Sequence, residues 1–282
     1  MSAVRVVVTN DDGIAAEGLH ALVRAIPPDL AAVVVAPAQN HSGVGRQASY
    51  GRPVTLEPLA EVGETAQFVC SGTPVDCVRV ALLGRTAPDA ELVVAGINHG
   101  PNLGDDALSS GTVGAAVEGA LLGIPGLAVS QQHFDGDFHI LDSFDQTTPV
   151  YATTATVAAT FALEMLARPA PERVLVNVNV PATVRELRVE LTRFGRRFYA
   201  SDSAVTIEQG GVRGHLTFGR RGDPPPPFED GPGTDFAAVR AGRISATPVS
   251  LAWHLDDGQR QACVWAAEIC AGVESRLGSV LP

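Results

Sequence analysis

Val4-Arg5-Val6-Val7-Val8-Thr9-Asn10-Asp11-Asp12-Gly13 is a β-branched run that ends abruptly on two adjacent carboxylates. Three consecutive valines between Arg5 and Thr9 predict a short strand buried on both faces, as at the centre of a parallel sheet. Asn-Asp-Asp-Gly then ends the strand at its carboxyl side, the edge along which open α/β sheets bind ligands. Two neighbouring carboxylates repel and lose hydration there, so they need a positive partner, most simply a divalent cation. The competing reading makes Asp11 or Asp12 an ordinary cap of the helix that follows.

Outward from this stretch, strand and helix patterns alternate. Ala32–Ala36, Leu92–Ala95, Leu127–Ser130 and Val174–Val180 are short apolar runs, and Glu17–Ala25, Pro74–Leu83, Thr112–Leu122 and Thr148–Leu166 are helix-like. Uniformly apolar strands separated by helices predict an α/β fold with a mainly parallel sheet covered on both faces. Thr73, Pro74 and Asp76 mark a helix start, as N-cap, first helical residue and capping-box acid. After Pro181 the texture changes. Val205-Thr206-Ile207 and Leu216-Thr217-Phe218 around Gly210, Gly211 and Gly214 predict a β-hairpin, and Pro224–Pro227 a stiff spacer. Thr234–Leu251 reads as a short helix and a strand, and Gln261–Leu277 as a closing helix. We expect one domain over residues 1–282, with roughly residues 200–260 as a hairpin and arm suited to homodimer or homotetramer formation.

The chain has 282 residues, 45% apolar and 18% charged, which suits an ordinary folded protein. A net charge of −11 disfavours nucleic acid as a partner, because phosphate contacts need clustered cations. All 20 basic residues are arginine. Cys70, Cys77, Cys263 and Cys270 form no CxxC pair, and the spacing of the last two predicts that both face the core. The first strand starts too close to Met1 for a signal peptide, and Glu118 and Pro125 interrupt the longest apolar stretch. We expect a cytoplasmic protein with reduced thiols and no membrane partner.

Three further segments follow strands. Ala36-Pro37-Ala38-Gln39-Asn40-His41-Ser42-Gly43 is a polar loop with a hydroxyl, and Gly96-Ile97-Asn98-His99-Gly100-Pro101-Asn102 sets Asn98 among glycines. Ser110-Gly111-Thr112-Val113-Gly114-Ala115-Ala116 opens a helix whose unpaired N–H groups and positive dipole end suit phosphate. Each is weak alone: a Gly-flanked Asn is often a turn, and Ser-Gly-Thr often only a cap. Together, two carboxylates, a hydroxyl and an amide carbonyl are oxygen donors for Mg²⁺, Mn²⁺ or Ca²⁺ rather than Zn²⁺.

These blocks resemble the SurE-type nucleotidases, the survival protein E family. The resemblance runs through Val6–Ile14, Ser42-Gly43, Ser71-Gly72-Thr73-Pro74 with Asp76-Cys77-Val78, Gly96-Ile97-Asn98 with Gly100 and Asn102, and Ser110–Ala116 with Glu118-Gly119. Later blocks are Val176–Pro181, Thr192-Arg193, Gly195-Arg196-Arg197, Thr234-Asp235, Gly242 and Ser245–Pro248. The resemblance implies a Rossmann-like three-layer αβα domain with an exchanged C-terminal arm. It also implies a metal-dependent phosphomonoesterase acting on nucleoside monophosphates, as a 5′-nucleotidase and also on 3′ esters. By motif it makes Asp11, Asp12, Ser42 and Asn98 the ligands of one divalent ion. Ala38 stands where the family usually has an acid and Ser109 where it has Tyr, and Leu216-Thr217-Phe218 lacks a Tyr-Trp pair. These departures spare the ligands and bear on base stacking.

The expected chemistry is in-line attack of water on phosphorus, with Asp11, Asp12 and Asn98 as the catalytic group. Asp11 would orient or deprotonate the water through an oxygen left free of metal. Asn10, Gly43, Asn102, Ser110, Gly111 and Thr112 would hold the substrate, and His99 would protonate the leaving oxygen or stand as a solvated loop residue. His133 and His139, among Asp135, Asp137 and Asp142, read as a polar surface loop, and Asp105 and Asp106 as loop-lining or capping residues. A dinucleotide enzyme is disfavoured by the missing Gly-x-Gly-x-x-Gly. An aspartyl-phosphate phosphatase would want acids two apart and a lysine. A phosphatase of a specialised metabolite and a nucleotide-binding oligomeric scaffold remain as alternatives.

Overall fold

The valine run becomes β1 (Val6–Thr9), fully buried, near the middle of a nine-stranded sheet. The computed structural model describes residues 5–62, 65–84, 86–138, 150–198, 203–207, 214–218 and 227–280. In chain order the further strands are β2 (Ala32–Pro37), β3 (Leu56–Val62), β4 (Thr65–Cys70), β5 (Leu92–His99), β6 (Gly126–Gln131), β7 (Val174–Val180), β8 (Val189–Leu191), β9 (Ser203–Ile207), β10 (Gly214–Phe218) and β11 (Ile244–Ser250). The helices are α1 (Glu17–Ala25), α2 (Pro74–Leu83), α3 (Gly111–Leu121), α4 (Ala152–Leu166), α5 (Asp235–Arg240) and α6 (Gly258–Val280).

The sheet order is β3-β4-β2-β1-β5-β6-β7-β11-β8. From β4 to β7 every neighbour is parallel, and β3 and β11 run antiparallel to β4 and β7. The chain builds outward from β1 through β2 in one direction, then returns to β5 and builds the other way. The reversal opens a crevice at the carboxyl ends of β1 and β5, where sheets of this kind bind ligands.

Alternation along β1 divides the core. Val6 and Val8 join α1, α4 and α6 on one face, with Leu22 and Phe161 fully buried there, while Val7 meets Val33, Val93, Cys77 and Val78 on the α2 face. Burying a side chain such as Phe161 contributes about 1.5–3 kcal/mol. The structure is therefore the three-layer α/β fold expected.

α1 and α2 have the predicted bounds. Thr73 and Asp76 form the reciprocal capping box with Pro74 in the first turn. α3 starts one residue earlier than expected, and α6 extends beyond its predicted range at both ends. α4 starts at Ala152; of its four-residue shortfall, 148 and 149 lie outside the described residues and Val150 and Tyr151 are not helical. β9 and β10 form the predicted antiparallel hairpin, Gly210 and Gly211 lying outside the described residues. β3, β4 and β8 were not anticipated. Cys270 faces the core but Cys263 is half-buried, correcting the expectation for the pair, because the apolar seam of α6 runs through Ala262, Trp265, Ala266, Ile269 and Val273.

Candidate active site at the sheet switch point

β1 hands the chain to a tight turn. Asn10 is fully buried, its Nδ2 donating to the Gly13 carbonyl at 2.9 Å and its Oδ1 accepting from the Gly13 N–H at 3.3 Å. Asn10 thus shapes the turn with both of its side-chain polar atoms. Neither Asp11 nor Asp12 caps α1, whose N-cap is Ala16 without a side-chain bond. Asp11 is 2% exposed and meets a different helix. Its Oδ2 accepts from the Thr112 N–H at 3.0 Å and its Oδ1 from the Thr112 hydroxyl at 2.5 Å, so the N terminus of α3 points at it.

This geometry alters two expected roles. Neither oxygen of Asp11 is free of hydrogen bonds, and the Thr112 N–H is engaged by a carboxylate rather than open to phosphate. The contact depends on Gly111: a Cβ there would lie 2.7 Å from Asp11 Cβ and 2.8 Å from its Oδ2. Ser110 caps α3, its hydroxyl accepting from the Val113 N–H at 3.1 Å.

Asp12 accepts from the His99 N–H at 3.1 Å and from Asn40 Nδ2 at 3.4 Å. Burial pushes both acids up, and the Thr112 bonds only partly offset this for Asp11. Asp12 is pushed up to about 7, by burial first and by the charge of Asp11 second, against the pull of the His99 N–H. Among the described residues neither acid is in an ion pair.

Asn98, at the end of β5, donates through Nδ2 to the Gly100 carbonyl at 2.7 Å. Its Oδ1 lies 3.4 Å from the Thr112 hydroxyl, beside Asp11. Ser42 and Gly43 are exposed on the loop after β2, where the Ser42 N–H donates to Asn40 Oδ1 at 2.8 Å. His41 ties the same loop to the turn after β1, donating its N–H to the Asp11 carbonyl at 2.7 Å. Direct bonds thus bring Asp11, Asn98 and Thr112 together, and Asn40 links Asp12 to the Ser42 segment. Asn40 was missed as a site residue, although its spacing from Ser42 is that of an Asx turn.

Asn102 is knitted to the strands beside it. Its N–H donates to Asn179 Oδ1 at 2.8 Å, its carbonyl accepts from Asn177 and Asn179 at 2.8 and 3.1 Å, and its Nδ2 donates to Ser130 at 2.7 Å. His99 is half-buried, with Nδ1 3.3 Å from the Tyr151 hydroxyl and its ring 4.6 Å from that of His133. It is not a solvated loop histidine. Nothing in sequence links Tyr151 to a residue 52 positions away. In the His133 loop residues 134–136 are exposed, as expected, whereas Asp137 is buried and accepts from the His133 N–H at 3.0 Å. His139 and Asp142 lie outside the described residues. Asp105 and Asp106 serve the loop, accepting from the Arg197 N–H at 2.7 Å and pairing with its guanidinium at 2.5 Å.

Among the described residues no three His, Cys, Asp or Glu side chains cluster to hold a metal, so any ion here must complete its shell with amide, hydroxyl or water oxygens. Also among them, no helix is long and apolar enough to cross a membrane.

A doubly wound sheet with paired acids and a helix N terminus at its switch point defines an α/β protein whose candidate site lies at the carboxyl ends of β1 and β5. Residues 6–201 match the family described as Survival protein SurE. A relative named 5′-nucleotidase SurE from Rubrobacter xylanophilus is 40% identical over 255 residues, covering 88% of this chain and 92% of its own. One of the same name from Vibrio cholerae is 36% identical over 269 residues, covering 94% and 98%. The crystal structure of the SurE protein from Aquifex aeolicus superposes with a TM-score of 0.68 at 30% identity, covering 88% of this chain and 93% of that one. The chain belongs to the SurE family.

Proposed function

We propose that this protein is a divalent-metal-dependent phosphomonoesterase that converts nucleoside 5′-monophosphates, and also 3′ esters, to nucleoside and phosphate. One observation carries the reading: two adjacent carboxylates, Asp11 buried and Asp12 half-buried, outside any described ion pair and both pushed toward neutrality by burial, with the Asn98 amide oxygen beside them. The relatives named 5′-nucleotidase SurE support the substrate class.

Asp11, Asp12, Ser42 and Asn98 would hold Mg²⁺ or Mn²⁺, and the same oxygen donors suit Ca²⁺. Bound there, the ion would offset the charge of the phosphoryl group as bonds to phosphorus change. The chain's own residues supply the rest. Thr112 fixes the carboxylate of Asp11 with two hydrogen bonds, so that it meets an attacking water in one orientation and receives its proton. The water oxygen bonds to phosphorus as the bond to the nucleoside oxygen breaks. His99 returns a proton to that leaving oxygen. Ser110 and the exposed Ser42-Gly43 segment face the remaining phosphate oxygens. The β9–β10 hairpin, a two-stranded sheet of its own among the described residues, is the arm for homodimer or homotetramer formation, and the unpaired thiols suit the cytoplasm.

The test is phosphate release from AMP and p-nitrophenyl phosphate with Mg²⁺ and Mn²⁺ varied. We expect metal-dependent turnover abolished by chelator, and a loss of roughly a hundredfold or more in Asp11→Asn with the fold intact. Turnover that survives chelation, or wild-type rates in Asp11→Asn, would overturn the reading.

A further inference from the structure

Glu118 lies in the third turn of α3 at 1% exposure and has no part in the chemistry above. Its Oε2 accepts from Arg46 Nε at 2.8 Å with Nη2 at 2.7 Å, and its Oε1 accepts from Arg79 Nε at 2.6 Å. The two arginines are 40% and 33% exposed, so the carboxylate is the buried member. They reach it from different places. Arg79 belongs to α2, whereas Arg46 belongs to the loop that has just left Ser42.

That loop is tied down on both sides. His41 is bonded to Asp11 in the turn after β1, and from residue 47 onward the loop is held by α2: Thr73 Oγ1 donates to the Gln47 carbonyl at 2.6 Å, and the Ser49 N–H donates to Asp76 Oδ1 at 2.9 Å. In between, the Gly45 N–H donates to the Ser109 carbonyl at 2.8 Å. The backbone of Gly45 rests directly on α3, since a Cβ on Gly114 would lie 2.6 Å from its carbonyl oxygen. Between these ties, Arg46 supplies the side-chain anchor, and it grips the same helix whose N terminus holds Asp11.

We propose that Arg46 is a positioning residue: held by the buried carboxylate of Glu118, it seats the Ser42-Gly43 segment over the start of α3 and so presents the Ser42 oxygen to the ion held by Asp11, Asp12 and Asn98. The proposal rests on the metal-site reading given above. It differs from simple charge neutralisation of Glu118, which Arg46 and Arg79 would share equally.

The experiment compares Arg46→Ala, Arg46→Lys and Arg79→Ala by hydrogen exchange of the peptide covering residues 40–47, by calorimetric titration with Mn²⁺, and by Tm. Arg46→Ala should speed exchange in that peptide and weaken Mn²⁺ binding about tenfold, the scale on which residues supporting metal ligands act. Arg46→Lys should recover most of both effects, and Arg46→Gln replaces the alanine variant if that does not fold. Arg79→Ala removes the other partner of the same carboxylate, and should lower Tm while leaving exchange and Mn²⁺ affinity as in the wild type. The proposal falls if exchange over residues 40–47 is unchanged in Arg46→Ala, or if Arg79→Ala weakens Mn²⁺ as much. A wild type that takes up no Mn²⁺ sinks the metal-site reading, and exchange alone then decides the role of Arg46.

Discussion

Replacing Asp12 by Asn should make the metal-free protein more stable at alkaline pH. The Asp12 carboxyl titrates at about 7 in the folded chain against an ordinary 3.8, through burial and then through the charge of Asp11. The folded state therefore keeps a proton that the unfolded state gives up. This contribution is fully present below about pH 4 and is lost as pH rises through about 7. At 1.36 kcal/mol per unit, the span corresponds to at most about 4 kcal/mol. Asparagine keeps the shape and an acceptor for the His99 N–H but carries no charge, and it also relieves the repulsion felt by Asp11. Urea unfolding in the presence of chelator, followed by circular dichroism in steps from about pH 4 to about pH 8, reads the difference. The two proteins should be close at the acid end, and the variant should be ahead by a few kcal/mol at the alkaline end. Mn²⁺ at a hundred times its Kd should narrow the gap, adding about 2.7 kcal/mol to the wild type. Parallel pH profiles for the two proteins would refute the reasoning, because they would mean that Asp12 bears no penalty for its charge.

Two further variants separate fold from site. Gly111→Ala places a methyl 2.8 Å from Asp11 Oδ2 while leaving the helix intact, so Asp11 must leave Thr112. Turnover should fall by about a hundredfold, the scale of a reacting group displaced by roughly an ångström, and Tm should fall too, because the added methyl meets Asp11 Cβ at 2.7 Å; undiminished kcat would contradict this. Asp235→Ala strips the acceptor from the Gly104 and Gly195 N–H groups, bonded at 2.7 and 2.8 Å. Each buried donor left unpaired costs about 1–3 kcal/mol, so a loss in urea unfolding below about 1 kcal/mol would show that the bridge is dispensable.

The features legible in the sequence were those written locally. Buried parallel strands announce themselves as valine runs because both faces need apolar residues, and α2 because Thr73, Pro74 and Asp76 sit within one turn. β3 and β4 escaped detection because an edge pair needs no such run: Leu56-Glu57-Pro58-Leu59 mixes charge, proline and leucine, and Pro58 is tolerated where a strand flank is unpaired. β8 has three residues and no pattern to detect. At the site, Asp11, Asp12 and Asn98 were legible because each ends a strand at the sheet reversal. The jobs of their neighbours were not. Whether the Thr112 N–H serves a phosphate or Asp11, and whether Asn102 faces a ligand or Asn179, depends on contacts across roughly a hundred and 77 residues, for which spacing carries no signal. Asp235 belonged to a recognisable block, but its bridge between Gly104 and Gly195 is visible only once the chain has folded.

That bridge has a consequence for the order in which a working molecule is made. The amide of Gly104, at the head of the stretch leading into Ser110 and Thr112, is held by a carboxylate 131 positions further along. A polypeptide emerging from the ribosome will have released Asp11, Asn98 and Thr112 long before Asp235 exists to secure that stretch. Competence thus waits for the last fifth of translation, and prematurely terminated products lack the fastening that completes the catalytic corner.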